Sequence, residues 1–208
     1  MPVDIPAPHG IAVRADFESA LRAQGEPVRF SGWDFAGADL RGLELGGCEF
    51  ARCKGGRVNF SAADLTEARF SGCDLNNAVC RGTGLSATMF TDCKMTGVQI
   101  VDARTLGLSF ERCLLISAAL HGLSFRRASL DQLDFAGADL TEADFRDAVF
   151  QGCNLRDANV TDARFQGADL RGADLGGLRL GDAGRFKGAV ISKQQAAALL
   201  AGLGLKVV

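Results

Sequence analysis

A large apolar residue recurs every five positions from Phe30 to Leu180 without an insertion. Of the 31 centres so defined, 28 are Leu, Phe, Ile, Val or Met; the exceptions are Gly55, Cys80 and Thr105. Two residues before each centre the side chain is usually small: fourteen of these positions are Ala, six are Cys, and none is charged. The remaining three positions of each unit carry nearly all the charge. Glycine is frequent two residues after the centre, as at Gly32, Gly37, Gly72 and Gly172. A period of five fits neither the 3.6 residues of a helix nor the 2.0 of a strand. One large and one small inward residue per unit instead suit a short flat side followed by a corner. Glycine belongs at such a corner, where a Cβ disfavours the dihedrals required.

A second, longer period sets the number of sides. Cys53, Cys73, Cys93, Cys113 and Cys153 differ by multiples of twenty residues, as do Phe30, Phe50, Phe70, Phe90, Phe110 and Phe150. In a solenoid each coil packs only on its neighbours, so like side chains stack on like. Twenty residues per coil means four five-residue sides. Backbone pairing between coils sets layers roughly 4.8 Å apart, and residues 28 to 182 supply about eight coils. Units such as Ala38-Asp39-Leu40-Arg41-Gly42 and Ala168-Asp169-Leu170-Arg171-Gly172 resemble the pentapeptide-repeat family. The resemblance implies an all-β fold, a right-handed quadrilateral parallel β-helix.

A solenoid exposes an apolar cross-section at each end and needs caps. The chain therefore divides into an N-terminal arm and capping helix (1–27), the β-helix (28–187) and a C-terminal segment (188–208). Val13, Phe17 and Leu21 stand at helical spacing within residues 11–24, and Trp33 is expected beneath that helix. Ser192 followed by Gln195 reads as a capping box opening a second helix. Ala196, Ala197, Leu199, Leu200 and Leu203 give this helix apolar surface, Gly202 is a natural stop, and Leu205-Lys206-Val207-Val208 suits a short strand. This segment is either the cap of one chain or a dimer contact through Leu199, Leu200 and Leu203. The family resemblance implies the latter, because topoisomerase-protecting members pair through a C-terminal helix and strand.

Catalytic and cofactor chemistry finds no support. Six of the seven cysteines occupy the small inward position and Cys80 a large one, which makes them reduced core fillers. His9 and His121 have no second ligand at metal-site spacing and are expected on the surface. The carboxylates fall at the repeat's own acidic position, and neither a Ser-His-Asp arrangement nor a phosphate loop is present. The expectation is a non-enzymatic protein without a metal or cofactor. No apolar run approaches the roughly 18 residues that span a bilayer. The opening MPVDIPAPHG lacks the basic and apolar regions of a signal peptide, so a cytoplasmic protein without a membrane partner is expected. A net charge of −2 argues against direct nucleic-acid binding.

Charge is uneven along the repeat. Residues 28–130 hold 12 basic and 10 acidic side chains, and residues 131–182 hold 5 basic and 11 acidic. Asp131, Asp134, Asp139, Glu142, Asp144, Asp147, Asp157, Asp162, Asp169 and Asp174 form the candidate acidic surface for a partner. Two such acidic regions meeting in a homodimer would approach the charge of duplex DNA, which carries one negative charge per roughly 1.7 Å of axis. The stretches Asp92-Cys93-Lys94-Met95-Thr96-Gly97-Val98 and Leu108-Ser109-Phe110-Glu111-Arg112-Cys113 resemble the quinolone-resistance (Qnr-type) and albicidin-resistance members of the family. That resemblance implies a DNA mimic that binds a type II topoisomerase, DNA gyrase, and protects it from inhibitors. The alternative is a protein-interaction scaffold or regulator with an unrelated partner. The repeat falters near Gly55 and Thr105. Each site is either an imperfect coil or a small loop, and a loop would present Arg57, Arg104 and Leu106.

Overall fold

The structure, a computed structural model, describes residues 2–24, 27–178, 183–202 and 204–206. It comprises two compact units, Met1–Leu114 and Leu115–Val208.

The first unit contains β1 (Val3–Ile5), α1 (Arg14–Gln24), β2 (Val28–Ser31), β3 (Glu49–Ala51), β4 (Arg69–Ser71), β5 (Val79–Arg81), β6 (Met89–Thr91), β7 (Gln99–Val101) and β8 (Ser109–Glu111). β1, β2, β3, β4, β6 and β8 form a parallel sheet in that order. From β2 onward each partner lies twenty residues further on: Phe30 pairs with Phe50, Phe50 with Phe70, Phe70 with Phe90 and Phe90 with Phe110. That sheet is the first face of the coil. The second face is a ladder of single bridges, Asp34–Lys54–Asp74–Lys94–Leu114. The third runs Asp39–Asn59–Val79 and continues as the β5–β7 pair, and the fourth runs Glu44–Asp64–Gly84–Arg104. The twenty-residue, four-sided reading holds, with about four coils in this unit.

The corners follow from the turn chemistry. Residues two after a centre adopt positive φ, as at Gly37 (72°), Arg52 (53°), Glu67 (61°) and Asp92 (56°), except Gly172, which sits at a register shift between β-strands. At most corners the N–H of the next small residue bonds back to the centre carbonyl, as from Ala38 to Phe35 at 3.0 Å. Positive φ at the third turn residue with that bond is a type II turn. Non-glycine residues accept a cost of roughly 1–2 kcal/mol for this conformation. It turns their N–H toward the next coil, from Arg52 to Ser71 O and from Glu67 to Ser86 O, both at 2.8 Å.

The centres fill the interior. The rings of Phe30, Phe50, Phe70, Phe90 and Phe110 stack with successive centroid separations of 5.1, 4.4, 4.8 and 5.4 Å. The N-terminal cap closes this column. Phe17 of α1 is fully buried, 4.9 Å from both Phe30 and Trp33, and Trp33 Nε1 donates to Ile5 O at 3.0 Å. Two features of this end differ from the sequence reading. β1, unforeseen, continues the first face by pairing in parallel with β2. The helix starts at Arg14, and Val13 is 56% exposed. Asp16 accepts the Val13 N–H at 2.8 Å, so Val13 is the N-cap and leaves the helical phase. Ala12 and Ala20 are buried in its stead, while Leu21 is half-buried.

The second unit contains β9 (Ser129–Asp131), β10 (Val149–Asn154), β11 (Asp169–Asp174), a short 3-10 turn (Ala183–Phe186) and α2 (Lys193–Gly202). β9, β10 and β11 form its first face, and the same four-sided pattern gives about three coils. A second aromatic column, Phe125, Phe145, Phe165 and Phe186, stacks on the fourth face at 4.9 Å per step. Its last member departs from the five-residue register. Phe186 stands twenty-one residues after Phe165, and Val190 pairs with Asp169. Between Phe165 and Phe186 the register thus advances by one residue, and Leu180 lies outside the described residues.

The capping box at α2 is present. Gln195 N–H donates to Ser192 Oγ at 3.1 Å and Ser192 N–H to Gln195 Oε1 at 2.7 Å. Gln195 Nε2 also donates to Leu170 O and Ala173 O at 2.7 Å, docking the helix on the last coil. The helix ends at Gly202, and the glycine that turns the chain beyond it is Gly204. Gly204 has φ 80°, with bonds from Gly204 N to Ala201 O and from Leu205 N to Leu200 O, a Schellman ending. Leu205 and Lys206 belong to no strand; Leu203, Val207 and Val208 lie outside the described residues.

Candidate interaction surface

The acidic position of the repeat has a local task. Asp or Asn one residue before a centre accepts the N–H one residue after it, as from Ala136 to Asp134 (3.0 Å), Thr141 to Asp139 (3.1 Å) and Arg171 to Asp169 (3.2 Å). Such Asx bonds satisfy a turn N–H that the ladder leaves unpaired, and Asn59, Asn154 and Asn159 make them equally well. The carboxylates are thus partly a folding device.

Five of the ten candidate acidic residues also pair with arginines of their own unit. Asp144, 6% exposed, lies between Arg146 (2.7 Å) and Arg164 (3.3 Å). Asp147 faces Arg127, Asp169 faces Arg171, Asp174 faces Arg156, Asp162 faces Arg185 and Glu142 faces His121. The hydrogen bond from Arg146 holds the Asp144 carboxyl below its ordinary range, and Arg171 holds Asp169 at about 2. Asp134 and Asp139 have only neutral partners, and Asp157 is exposed. Asp131 is half-buried on the first face. The acidic residues are spread over all four faces rather than gathered on one.

No loop emerges at either break in the repeat. The turn bonds from Val58 N to Gly55 O and from Leu108 N to Thr105 O are in place, and the neighbouring bridges keep the twenty-residue register. Gly55 is a packing complement: a Cβ there would lie 2.3 Å from Phe35 Cε2, so the Phe35 ring fills the space of the missing centre. Arg57 and Arg104 are exposed on regular coils. Leu106, at the tip of its turn, is 86% exposed.

The two Qnr-like stretches stack one coil apart. Arg112 Nε donates to Asp92 Oδ1 at 2.7 Å, and Arg112 also contacts Glu111. Beneath this pair Cys93 and Cys113 point inward. None of the seven cysteines forms a disulfide, and all are buried. The Sγ–H groups of Cys53, Cys73, Cys93 and Cys113 lie 3.2, 3.3, 3.6 and 3.4 Å from the carbonyls of Phe30, Phe50, Phe70 and Phe90, and are shared with the carbonyls of Ala51, Ser71, Thr91 and Glu111 at 3.6, 3.6, 3.3 and 3.3 Å. Burial pushes the Cys80 thiol up to about 12.

At the C-terminal end no residue of α2 is buried. Leu199 is half-buried, while Val190, Ile191, Leu200 and Leu205 are 45, 37, 38 and 55% exposed. Among the described residues no group of His, Cys, Asp or Glu is arranged to hold a metal ion, and no helix is long and apolar enough to cross a membrane.

Comparison with known proteins agrees with this architecture. The model of the Pentapeptide repeats, in eight copies, matches residues 109–147 and 138–177, and that of the Pentapeptide repeat region matches residues 43–120. No curated protein matches. Among solved structures, a trypsin-treated variant of QnrB1, a plasmid-mediated fluoroquinolone resistance protein, gives a TM-score of 0.68 at 23% identity, covering 100% of this chain and 98% of that one. Full-length QnrB1 gives 0.66 at 25% identity, covering 86% and 88%. With its five-residue units in register, its twenty-residue coil and these matches, the chain belongs to the pentapeptide-repeat family.

Proposed function

We propose that this protein is a Qnr-like, non-enzymatic partner of a type II topoisomerase, DNA gyrase, and protects it from inhibitors. The observation that carries the reading is the likeness to full-length QnrB1, a fluoroquinolone resistance protein, at 25% identity over 86% of this chain. The stacked stretches at Asp92–Val98 and Leu108–Cys113 support it. Carboxylates without a cationic partner among the described residues, Asp134, Asp139 and Asp157, would supply the DNA-like charge, with exposed Arg57, Arg104 and Leu106 as further contacts. Gyrase supercoiling in the presence of a fluoroquinolone tests this reading. Added protein should restore supercoiled product; no restoration and no binding at micromolar protein overturn it.

The same reading includes a homodimer through α2, whose exposed Leu200 and half-buried Leu199 would find a partner there; Leu203 is assigned with them. Light scattering should give twice the chain mass, and Leu199→Asp with Leu200→Asp should halve it. An unchanged mass removes the claim. The internal neutralisation of five acidic residues favours a second reading, an interaction scaffold whose partner recognises mixed charge. A pull-down that recovers another protein and no topoisomerase subunit would select it.

A further inference from the structure

The fourth face of the second unit differs in charge from the rest of that unit. Its ladder runs Ser124–Asp144–Arg164, and Arg185 O accepts the Phe165 N–H in the next coil. One residue beyond each centre lie Arg126, Arg146, Gln166 and Lys187. The bonds from Arg127 N to Arg146 O, Asp147 N to Gln166 O and Gly167 N to Lys187 O align them as a column. Layers repeat at the 4.9 Å of the phenylalanine column beneath. The strip thus carries six cations, Arg126, Arg127, Arg146, Arg164, Arg185 and Lys187, against three carboxylates, Asp144, Asp147 and the Asp162 that pairs with Arg185. The chain as a whole has a net charge of −2.

Asp144 organises the middle of the strip. Nearly buried, it grips Arg146 of its own coil and Arg164 of the next, leaving their side chains 31 and 45% exposed. A carboxylate so placed cancels one of two positive charges and holds both guanidinium groups side by side. Arg146 meets Asp144 through Nε and Nη2, so its outer Nη1 edge and the exposed part of Arg164 are what remain to meet a second carboxylate. Arg126 and Lys187, one coil to either side, are exposed and have no ion-pair partner among the described residues.

We propose that this strip is the docking surface for an acidic segment of a partner protein. Two observations favour a narrow peptide over nucleic acid. The strip is bordered by Glu142 and Asp162 on the third-face corner and by Asp169 on the first face, so a wide polyanion would meet carboxylates on both sides. The aromatic residues beneath it, Phe125, Phe145 and Phe165, are buried, so it offers no surface on which single-stranded bases stack. Arginine clusters read acidic motifs in this manner. The inference stands apart from the topoisomerase reading, which assigns its contacts to carboxylates on other faces.

Fluorescence anisotropy with a labelled oligoglutamate peptide tests it on the full chain. The peptide should bind at low ionic strength and release as salt rises. Arg126→Glu with Lys187→Glu should weaken binding at least about tenfold. Both residues are exposed and unpaired, so the thermal unfolding midpoint should not move. The charge-matched control Arg41→Glu with Arg81→Glu lies on the first unit and should change affinity less than about twofold. An equal loss in both variants overturns the proposal, because net charge alone would then account for binding. No binding at low salt overturns it as well, as does tighter binding of single-stranded oligothymidine to the same strip.

Discussion

Gly55 is the sharpest test of how side chains are matched between coils. A Cβ at this position would stand 2.3 Å from Phe35 Cε2, 2.9 Å from Phe35 Cζ and 2.9 Å from Leu75 Cδ2. The Phe35 ring cannot swing aside. It is fully buried, with Phe17, Phe50 and Phe60 at centroid distances of 5.4, 6.1 and 6.3 Å. Gly55→Ala therefore overpacks a closed core, at a cost of about 1–3 kcal/mol. Gly56→Ala is the control: its Cβ would meet nothing nearer than Asn76 O at 3.7 Å, and its backbone needs no positive φ. The control should be neutral, or stabilising by about 0.4–1 kcal/mol through the unfolded chain. Denaturant unfolding followed by circular dichroism measures both. Phe35→Leu should then rescue Gly55→Ala, with a coupling of about 0.5–3 kcal/mol. A Gly55→Ala midpoint equal to that of Gly56→Ala, or additivity in the double variant, would refute the claim that the ring occupies the vacant centre.

Asp144→Asn removes the charge between Arg146 and Arg164 and should cost about 1–3 kcal/mol at pH 7. Because the folded carboxyl titrates below its unfolded value of about 3.9, this contribution is complete above that pH and fades as pH falls through the folded value. The gap between parent and variant in unfolding free energy should accordingly narrow below about pH 4; a gap constant down to pH 2 would sink the assignment. Cys73→Ala leaves the Phe50 carbonyl without its Sγ–H donor and should cost about 1–2 kcal/mol. Cys73→Ser should cost less, since Thr83 and Thr88 already place hydroxyls on the corresponding carbonyls at 2.8 and 2.7 Å. The reverse order in an unfolding series would mean that the slot selects only for apolar volume.

The architecture was legible because a coil of twenty residues repeats its environment, so one rule written many times is visible in a single chain. Phe30 through Phe110 and the cysteine column announced the four sides directly. The column Phe125, Phe145, Phe165 carried the same twenty-residue signal, but its last member was hidden by the one-residue slip that brings in Phe186. What the repeat does not encode was harder to read. β1 is three residues long and owes its place to the edge offered by β2, and Val13 lost its inward position to the capping geometry of Asp16. The candidate site suffered most. Counting charges along the chain showed an acidic stretch, yet folding brings residues about one coil apart into contact, and Asp144, Asp162 and Asp174 then meet Arg164, Arg185 and Arg156.

The cysteine column shows how far a pattern can be visible while its cause is not. At most corners the centre carbonyl is taken by the N–H of the next small residue, as Ala78 does for Leu75 and Ala138 for Phe135. On the first face of the first unit, Phe30, Phe50, Phe70 and Phe90 offer their carbonyls to a thiol one coil on. A buried carbonyl left unpaired costs about 1–3 kcal/mol, so the small position there favours a side chain that both fits and donates. Alanine fits but cannot donate, and threonine does both where the third and fourth faces allow it. Cysteine is thus held in one column by the hydrogen-bond needs of one corner, and its twenty-residue spacing is the coil length. The proposed contacts are accordingly sought in side chains that neither the corner nor the interior requires: Leu106, the apolar surface of α2, and the arginines arranged around Asp144.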